Sequence, residues 1–320
     1  MHGQARPGRF LTLFTITAII LSCPQDAHAL VTRPQVAQKF LNTGKALLKQ
    51  RRYEDALIHF NKALKIDPNY TEAWNEKGTV FFKQGRYREA IEYYDKALEI
   101  DPKNAAAWFY KGTTLGYLGG HREAIECFDK ALDVNRKYAK AWLNKGAAML
   151  ALGMYQETLE CCNRALETDP MFAEAWYIKG LAFDNLGWYQ RSIECYNKAL
   201  DIDPNYAEAW YNKGASLFTL GYDNAATMSV LAMYQEAFEC SDKVLGIDPK
   251  LAEAWLNNIG VLDEFGGSQR AFVCYDRALG IDTRLAAAWF NKGRVLDGLG
   301  RYQEAIECYD KALEIDQKDT

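Results

Sequence analysis

The chain has 320 residues, with 38 basic and 42 acidic side chains and a net charge of −4. No basic run occurs in it, which excludes the electrostatic footprint by which proteins hold nucleic acid. It contains only 4 histidines, no glycine-rich phosphate loop and no nucleophile elbow, so no cofactor, metal site or catalytic centre is expected.

The first segment stands apart. Arg6 and Arg9 precede the apolar run FLTLFTITAIIL (residues 10–21), and AHA (27–29) offers small residues at signal-peptidase spacing. That run is shorter than the roughly 20 residues a membrane-spanning helix needs. Residues 1–29 therefore read as an export signal cleaved after Ala29, and residues 30–36 as a linker. ILSC (20–23) also fits a lipoprotein box, which would make Cys23 a lipid anchor, and an uncleaved anchor is a third reading. All three place the rest of the chain outside the cytoplasm, in the periplasm or beyond the cell.

From residue 37 the chain keeps a period. Trp74, Trp108, Trp142, Trp176 and Trp210 stand 34 residues apart, as do Trp255 and Trp289. Counted from three residues before each Trp, the repeats run 37–70, 71–104, 105–138, 139–172, 173–206, 207–251, 252–285 and 286–319, with Phe40 in place of the first Trp. Such a period is the mark of a quasi-one-dimensional array in which each repeat packs on its neighbours. Each repeat predicts two helices, because apolar residues such as Ile91, Tyr94 and Leu98 recur at helical spacing among good helix formers. Gly85, Gly119, Gly153, Gly187, Gly221, Gly266 and Gly300 fall where the first helix should end in left-handed backbone. Asp-Pro closes the second helix at Pro68, Pro102, Pro170, Pro204 and Pro249.

With Trp74, Gly78, Ala90, Tyr94, Ala97, Pro102 and their echoes over residues 37–319, the chain resembles the tetratricopeptide repeat family. The resemblance implies an all-α fold, a right-handed superhelical solenoid of eight helix-turn-helix repeats, which holds peptide segments of partner proteins on its concave side. Arg136, Thr283 and Gln317 depart from the closing proline, and Ile259 from the first-helix glycine, which should loosen the seventh repeat.

On a helical wheel of about 100° per residue, the Trp and the glycine four residues later point toward the second helix. Positions two before and one, two, five, eight and nine after the Trp fall on the opposite side, expected to line the groove. Two after the Trp (or Phe40) stand Asn42, Asn144, Asn212, Asn257 and Asn291, whose amides both donate and accept and so can pair with any peptide unit. One after it come Phe109, Tyr177, Tyr211 and Phe290, flat surfaces for partner side chains. The alternative for the asparagines is that they only solvate a duplicated helix face. Lys45, Lys49, Lys83 and Lys140 lie toward one end of the groove, and Glu174, Asp184, Glu208, Glu253, Asp263, Glu264 and Asp297 toward the other. The arrangement by which some family members clamp a chaperone's terminal carboxylate is not matched, since of its places only Lys45 is basic as required.

Lys77, Lys111, Lys145, Lys179, Lys213 and Lys292, three after the Trp, are expected to snorkel and meet acids such as Asp95 or Asp129. Cys127, Cys161, Cys195, Cys240, Cys274 and Cys308 share one place in the second helix. Equivalent places in adjacent repeats lie too far apart for disulfides, which need alpha carbons within about 7 Å, so these cysteines read as small buried hydrophobes.

The sixth repeat carries extra residues, Tyr222 to Ala232, which could lengthen the second helix without turning its packing face. They read either as a partner contact or as a loop without a role. The whole predicts a non-catalytic adaptor for a protein or peptide partner. The alternative is a structural homo-oligomer, stacked end to end through the apolar surface that Leu313 and Ile315 leave uncovered.

Overall fold

The computed structural model describes residues 33–223, 230–247 and 268–317, all in helices and their connections, with no strand among them. Two compact units divide the chain after Pro68. The described part of the first is a helix pair, α1 (Arg33–Lys49) and α2 (Tyr53–Ile66), closed around Leu41, Ala56, Phe60 and Ala63. Because α1 begins at Arg33, the expected linker is helical from that residue.

The second unit continues the pairing with α3 (Thr71–Lys83) and α4 (Tyr87–Ile100), α5 (Ala105–Tyr117) and α6 (His121–Val134). Then come α7 (Ala139–Ala151) and α8 (Tyr155–Thr168), α9 (Ala173–Asn185) and α10 (Tyr189–Ile202), α11 (Ala207–Asp223) and α12 (Val230–Ile247). The last described helices are α13 (Ser268–Ile281), α14 (Ala286–Gly298) and α15 (Tyr302–Asp316). Each second helix from α4 to α10 packs on the first helix of its own repeat and on that of the next, and the first helices α3, α5, α7, α9 and α11 also touch in order. The fold class read from the period is thus the observed one: helix pairs stacked as repeats.

The turn between paired helices uses left-handed backbone, with φ +75° at Gly85, +82° at Gly119, +76° at Gly153, +74° at Gly187 and +75° at Gly300. In the first repeat Arg51 takes that conformation at φ 60°. A side chain there is disfavoured, so Arg51→Gly is expected to stabilise the first helix pair by up to about 1 kcal/mol, read as a higher midpoint of thermal unfolding.

Proline proves to be an accessory at the other turn. The residue before it takes extended backbone at Asp101, Asn135, Asp169 and Asp203. Its side-chain oxygen accepts from the backbone two residues on, at 3.0 Å from Lys103, 3.1 Å from Lys137, 3.1 Å from Met171 and 3.0 Å from Asn205. Asn135 does this although Arg136 follows, and Asp282 does it for Arg284 at 2.9 Å although Thr283 follows. The turn is therefore set by the Asx residue. Each following Trp fixes it further, its indole N–H donating to the carbonyl of Pro102, Arg136, Pro170, Pro204 or Thr283 at 2.9–3.1 Å. Small residues of the second helix are held between successive rings, as Ala97 and Leu98 are by Trp74 and Trp108.

The sixth repeat differs from its reading. Gly221 does not end the first helix but lies buried inside α11. The surplus is shared: α11 has 17 residues and α12 has 18, against 13 in α9 and 14 in α10. The extra residues 222–232 relieve the chain of turning at Gly221, so the first helix continues past the usual turn. Ile259 and residues 1–32 lie outside the described residues.

Cys127, Cys161, Cys162, Cys195, Cys240 and Cys308 are buried free thiols. Burial pushes Cys161 and Cys195 up to about 11 and Cys162 and Cys240 up to about 12, so these thiols stay protonated near neutral pH, as small hydrophobes do.

Candidate partner-binding groove

The contacts between consecutive first helices make their layer the more closely spaced of the two, as an inner face is. On that layer two of the asparagine amides, those of Asn144 and Asn212, are engaged with the preceding repeat. Asn144 Nδ2 donates to Thr113 Oγ1 at 3.1 Å, and Asn212 Nδ2 lies 3.1 Å from the Tyr177 hydroxyl and 2.9 Å from the Glu208 carbonyl. Each such bond leaves the amide carbonyl to accept from a guest. Asn42 is exposed and accepts from Gln38 Nε2 at 3.0 Å within its own helix, and Asn291 is half-buried. Asn257 lies outside the described residues. The column thus ties repeat to repeat, a role the wheel alone does not disclose.

Among the ring positions, Phe290 is 51% exposed, 5.7 Å from the Tyr309 ring, while Tyr177 and Tyr211 are half-buried. Phe109 departs from the reading. Its ring packs among Phe128 at 6.1 Å and Tyr138 at 4.9 Å and retains 8% exposure, so it is core rather than a contact surface. Asn75, at the equivalent place, is also buried, with Nδ2 3.4 Å from Asn104 Oδ1.

The lysine column behaves as expected. Lys111 pairs with Asp95 at 2.6 Å and Lys145 with Asp129 at 2.5 Å, each reaching the second helix of the preceding repeat. Lys292 pairs with Asp276 in the same manner. The ammonium groups also lie over the Trp rings, as Lys145 does over Trp142 at 5.5 Å and Lys179 over Trp176 at 5.0 Å. Lys77, between Trp74 at 4.9 Å and Tyr93 at 4.4 Å, has its pKa lowered by burial and by Lys96.

Asp184 corrects the reading of the acidic end. Its carboxylate faces inward, accepting from the fully buried Tyr196 hydroxyl and from Ser216 Oγ at 2.7 Å, while Ser192 Oγ lies 3.2 Å from Ser216 Oγ. Burial pushes the carboxyl up and these hydrogen bonds draw it back. The cluster joins α9, α10 and α11. Its signal in the sequence was Ser192 and Ser216, hydroxyls where Ala90 and Val80 stand three and four repeats earlier. Glu253, Asp263 and Glu264 lie outside the described residues.

One cavity of about 340 Å³ opens on this face where α5, α6 and α7 meet. Gly116, Tyr117, His121 and Phe128 line one side, with Thr113, Asn144 and Ala147 at the other. Five of these positions (five, eight and nine after Trp108, and two and five after Trp142) belong to the columns that the wheel assigned to the groove.

Family models described as tetratricopeptide repeat match residues 29–71, 41–105 and 75–115, residues 105–138, and residues 139–172 and 286–319. A model described as TPR repeat matches residues 185–221. No curated protein sequence is significantly similar to the chain. Among solved structures, PilF of Pseudomonas aeruginosa is similar at 18% identity with a TM-score of 0.59, covering 68% of this chain and 94% of that one. The C-terminal part of a TPR repeat-containing protein from Cytophaga hutchinsonii is similar at 16% identity with a TM-score of 0.59, covering 81% and 99%. At these identities the likeness bears on the fold.

Proposed function

Since the chain belongs to the tetratricopeptide repeat family, we propose that it is a non-catalytic adaptor holding an extended segment of a partner protein along its layer of first helices. The observation that carries this reading is the continuity of that layer. First helices touch in order from α3 to α11, so equivalent places in successive repeats form rows along one continuous layer, on which Asn144, Tyr177, Tyr211 and Asn212 lie. The leader-like residues 1–29 support export, with the adaptor working in the periplasm or outside the cell.

Replacement of Asn144, Asn212 and Asn291 together by alanine is expected to weaken binding of peptides selected from a displayed random library at least tenfold. Thr158→Val serves as the control. It removes a buried hydroxyl on the second helix α8 that donates to the Met154 carbonyl at 2.8 Å, costing about 0.5–1.5 kcal/mol of stability, yet changes no side chain on the layer of first helices, so peptide affinity should survive. Equal loss in both proteins would show that the asparagines act only in packing.

A second reading, copies of the chain stacked end to end, is favoured by α15. There Tyr302 is 64%, Ile306 51% and Leu313 57% exposed along one helix. Light scattering decides it: particle mass rising with concentration, and no longer rising after Ile306→Glu, would support association.

A further inference from the structure

We propose that the cavity at Gly116 takes one aromatic side chain of the partner segment and so anchors the guest at the third repeat. This rests on the groove reading above and adds to it where the guest is held and by what chemistry.

The column eight residues after the Trp (or Phe40) shows how the chain treats this place elsewhere. It reads Leu48, Phe82, Gly116, Leu150, Asp184 and Phe218 from the first repeat to the sixth. Leu48 and Phe218 are each 7% exposed. Leu150 packs against the core of Leu159, Ala182 and Phe183, and Asp184 is held by Tyr196 and Ser216. Phe82 lies 5.4 Å from the ring of Tyr87 and meets Tyr117 edge-on at 5.1 Å. At Gly116 the place is vacant, and a Cβ built there would meet nothing within 4 Å.

Two further truncations converge on the same spot. His121 stands where the preceding repeat has Tyr87, and Ala151 stands where Tyr117 would recur in the next repeat. The third repeat thus lacks the ring that its predecessor supplies and one of the two rings that hold it, with the smaller imidazole of His121 in place of the other. Tyr117, which already carries Phe82 on its edge, also walls this cavity and remains 66% exposed, ready for a second edge-to-face contact. Phe128, 2% exposed overall, contributes apolar surface. No carboxylate, lysine or arginine lines the cavity, which disfavours a charged occupant. At the rim, the Asn144 carbonyl can accept from the guest's backbone while its Nδ2 holds Thr113. An aromatic anchor in a pocket with polar groups at the edge is the arrangement of a binding hot spot.

The test uses the full chain, its Gly116→Leu and Gly116→Ala variants, and a random peptide library displayed on phage. Both substitutions favour helix, their Cβ meets no neighbour, and the rest of a leucine has the cavity of about 340 Å³ to enter, so both proteins should melt no lower than wild type. Peptides enriched on the wild type are expected to share one aromatic residue, whose replacement by alanine weakens binding on the order of 30-fold. Gly116→Leu should weaken the aromatic peptide to the same degree and abolish its advantage over the alanine version. Enriched peptides that lack an aromatic residue, or that bind Gly116→Leu as well as wild type, would overturn the anchor while leaving the groove intact. Absence of any enriched peptide on the wild type would instead defeat the groove reading. A variant melting well below wild type would refute the open geometry at Gly116.

Discussion

Asp184→Ala is expected to destabilise the second compact unit by about 2 kcal/mol, because it leaves one buried donor without its acceptor, at a cost of roughly 1–3 kcal/mol. That donor is the hydroxyl of Tyr196, with no exposed surface, whereas Ser216 Oγ keeps the Asn212 carbonyl at 2.9 Å. Burial and the adjacent carboxylate push the Tyr196 phenol far above its usual range, so it remains a donor and cannot adjust by ionising. Asp184→Asn should cost much less, since an amide oxygen still accepts from one hydroxyl and no charge is buried. The pH dependence has a definite sign. Burial raises the Asp184 carboxyl in the folded chain, so the folded state binds this proton more readily than the unfolded one. Its contribution is therefore full below the ordinary carboxyl pKa of about 4 and declines as pH rises through the folded value. Urea unfolding near pH 4 and pH 7 should show a larger Asp184→Ala penalty at the acid pH, and Asp184→Asn should lose that step. A penalty below about 1 kcal/mol at both would mean that water reaches the Tyr196 hydroxyl.

The same residue marks the limit of sequence reading. Spacing revealed the helix pairs, the left-handed glycines, the lysine bridges to Asp95 and Asp129 and the buried cysteine column, because each depends on geometry that recurs every 34 residues. What escaped it depends on departures from the recurrence. A wheel places Asp184 on the groove side, but whether it faces water is decided by hydroxyls at Ser192 and Ser216, on two other helices. Phe109 was assigned to the guest by the same wheel, and Tyr138 and Phe128 draw its ring into the core. Gly221 has the right residue type at the right position, yet it stays helical because eleven extra residues, 222 to 232, relieve the chain of turning there. Gly116 reads as an ordinary weak point of a helix until its column is compared with Phe82, Leu150 and Phe218. The asparagine column shows both sides of this: its place on the first-helix layer follows from period alone, whereas its bonds to Thr113 and Tyr177 require the neighbouring repeat.

Gly180→Ala should cost about 2–3 kcal/mol, while Gly146→Ala, the same change one repeat earlier, should be neutral or stabilise by up to about 1 kcal/mol. At Gly180 an added Cβ would lie 2.5 Å from the Tyr196 ring. That ring is fully buried and tied at its hydroxyl to Asp184, so it cannot withdraw without breaking the cluster. At Gly146 the ring position is occupied by Cys162, and the nearest atoms are Cys161 Cβ at 3.2 Å, the Thr158 carbonyl oxygen at 3.6 Å and Cys162 Sγ at 3.7 Å. A small shift accommodates the methyl, and the gain in helix propensity then decides the sign. The decisive comparison adds Cys162→Tyr to Gly146→Ala, which should recreate the clash and restore the penalty seen at Gly180. If thermal unfolding shows equal effects for the two alanine substitutions, the close approach of first to second helix is not governed by the ring at that place, and the Phe60, Tyr94, Phe128 and Tyr309 contacts with Gly44, Gly78, Gly112 and Gly293 would lose the same explanation.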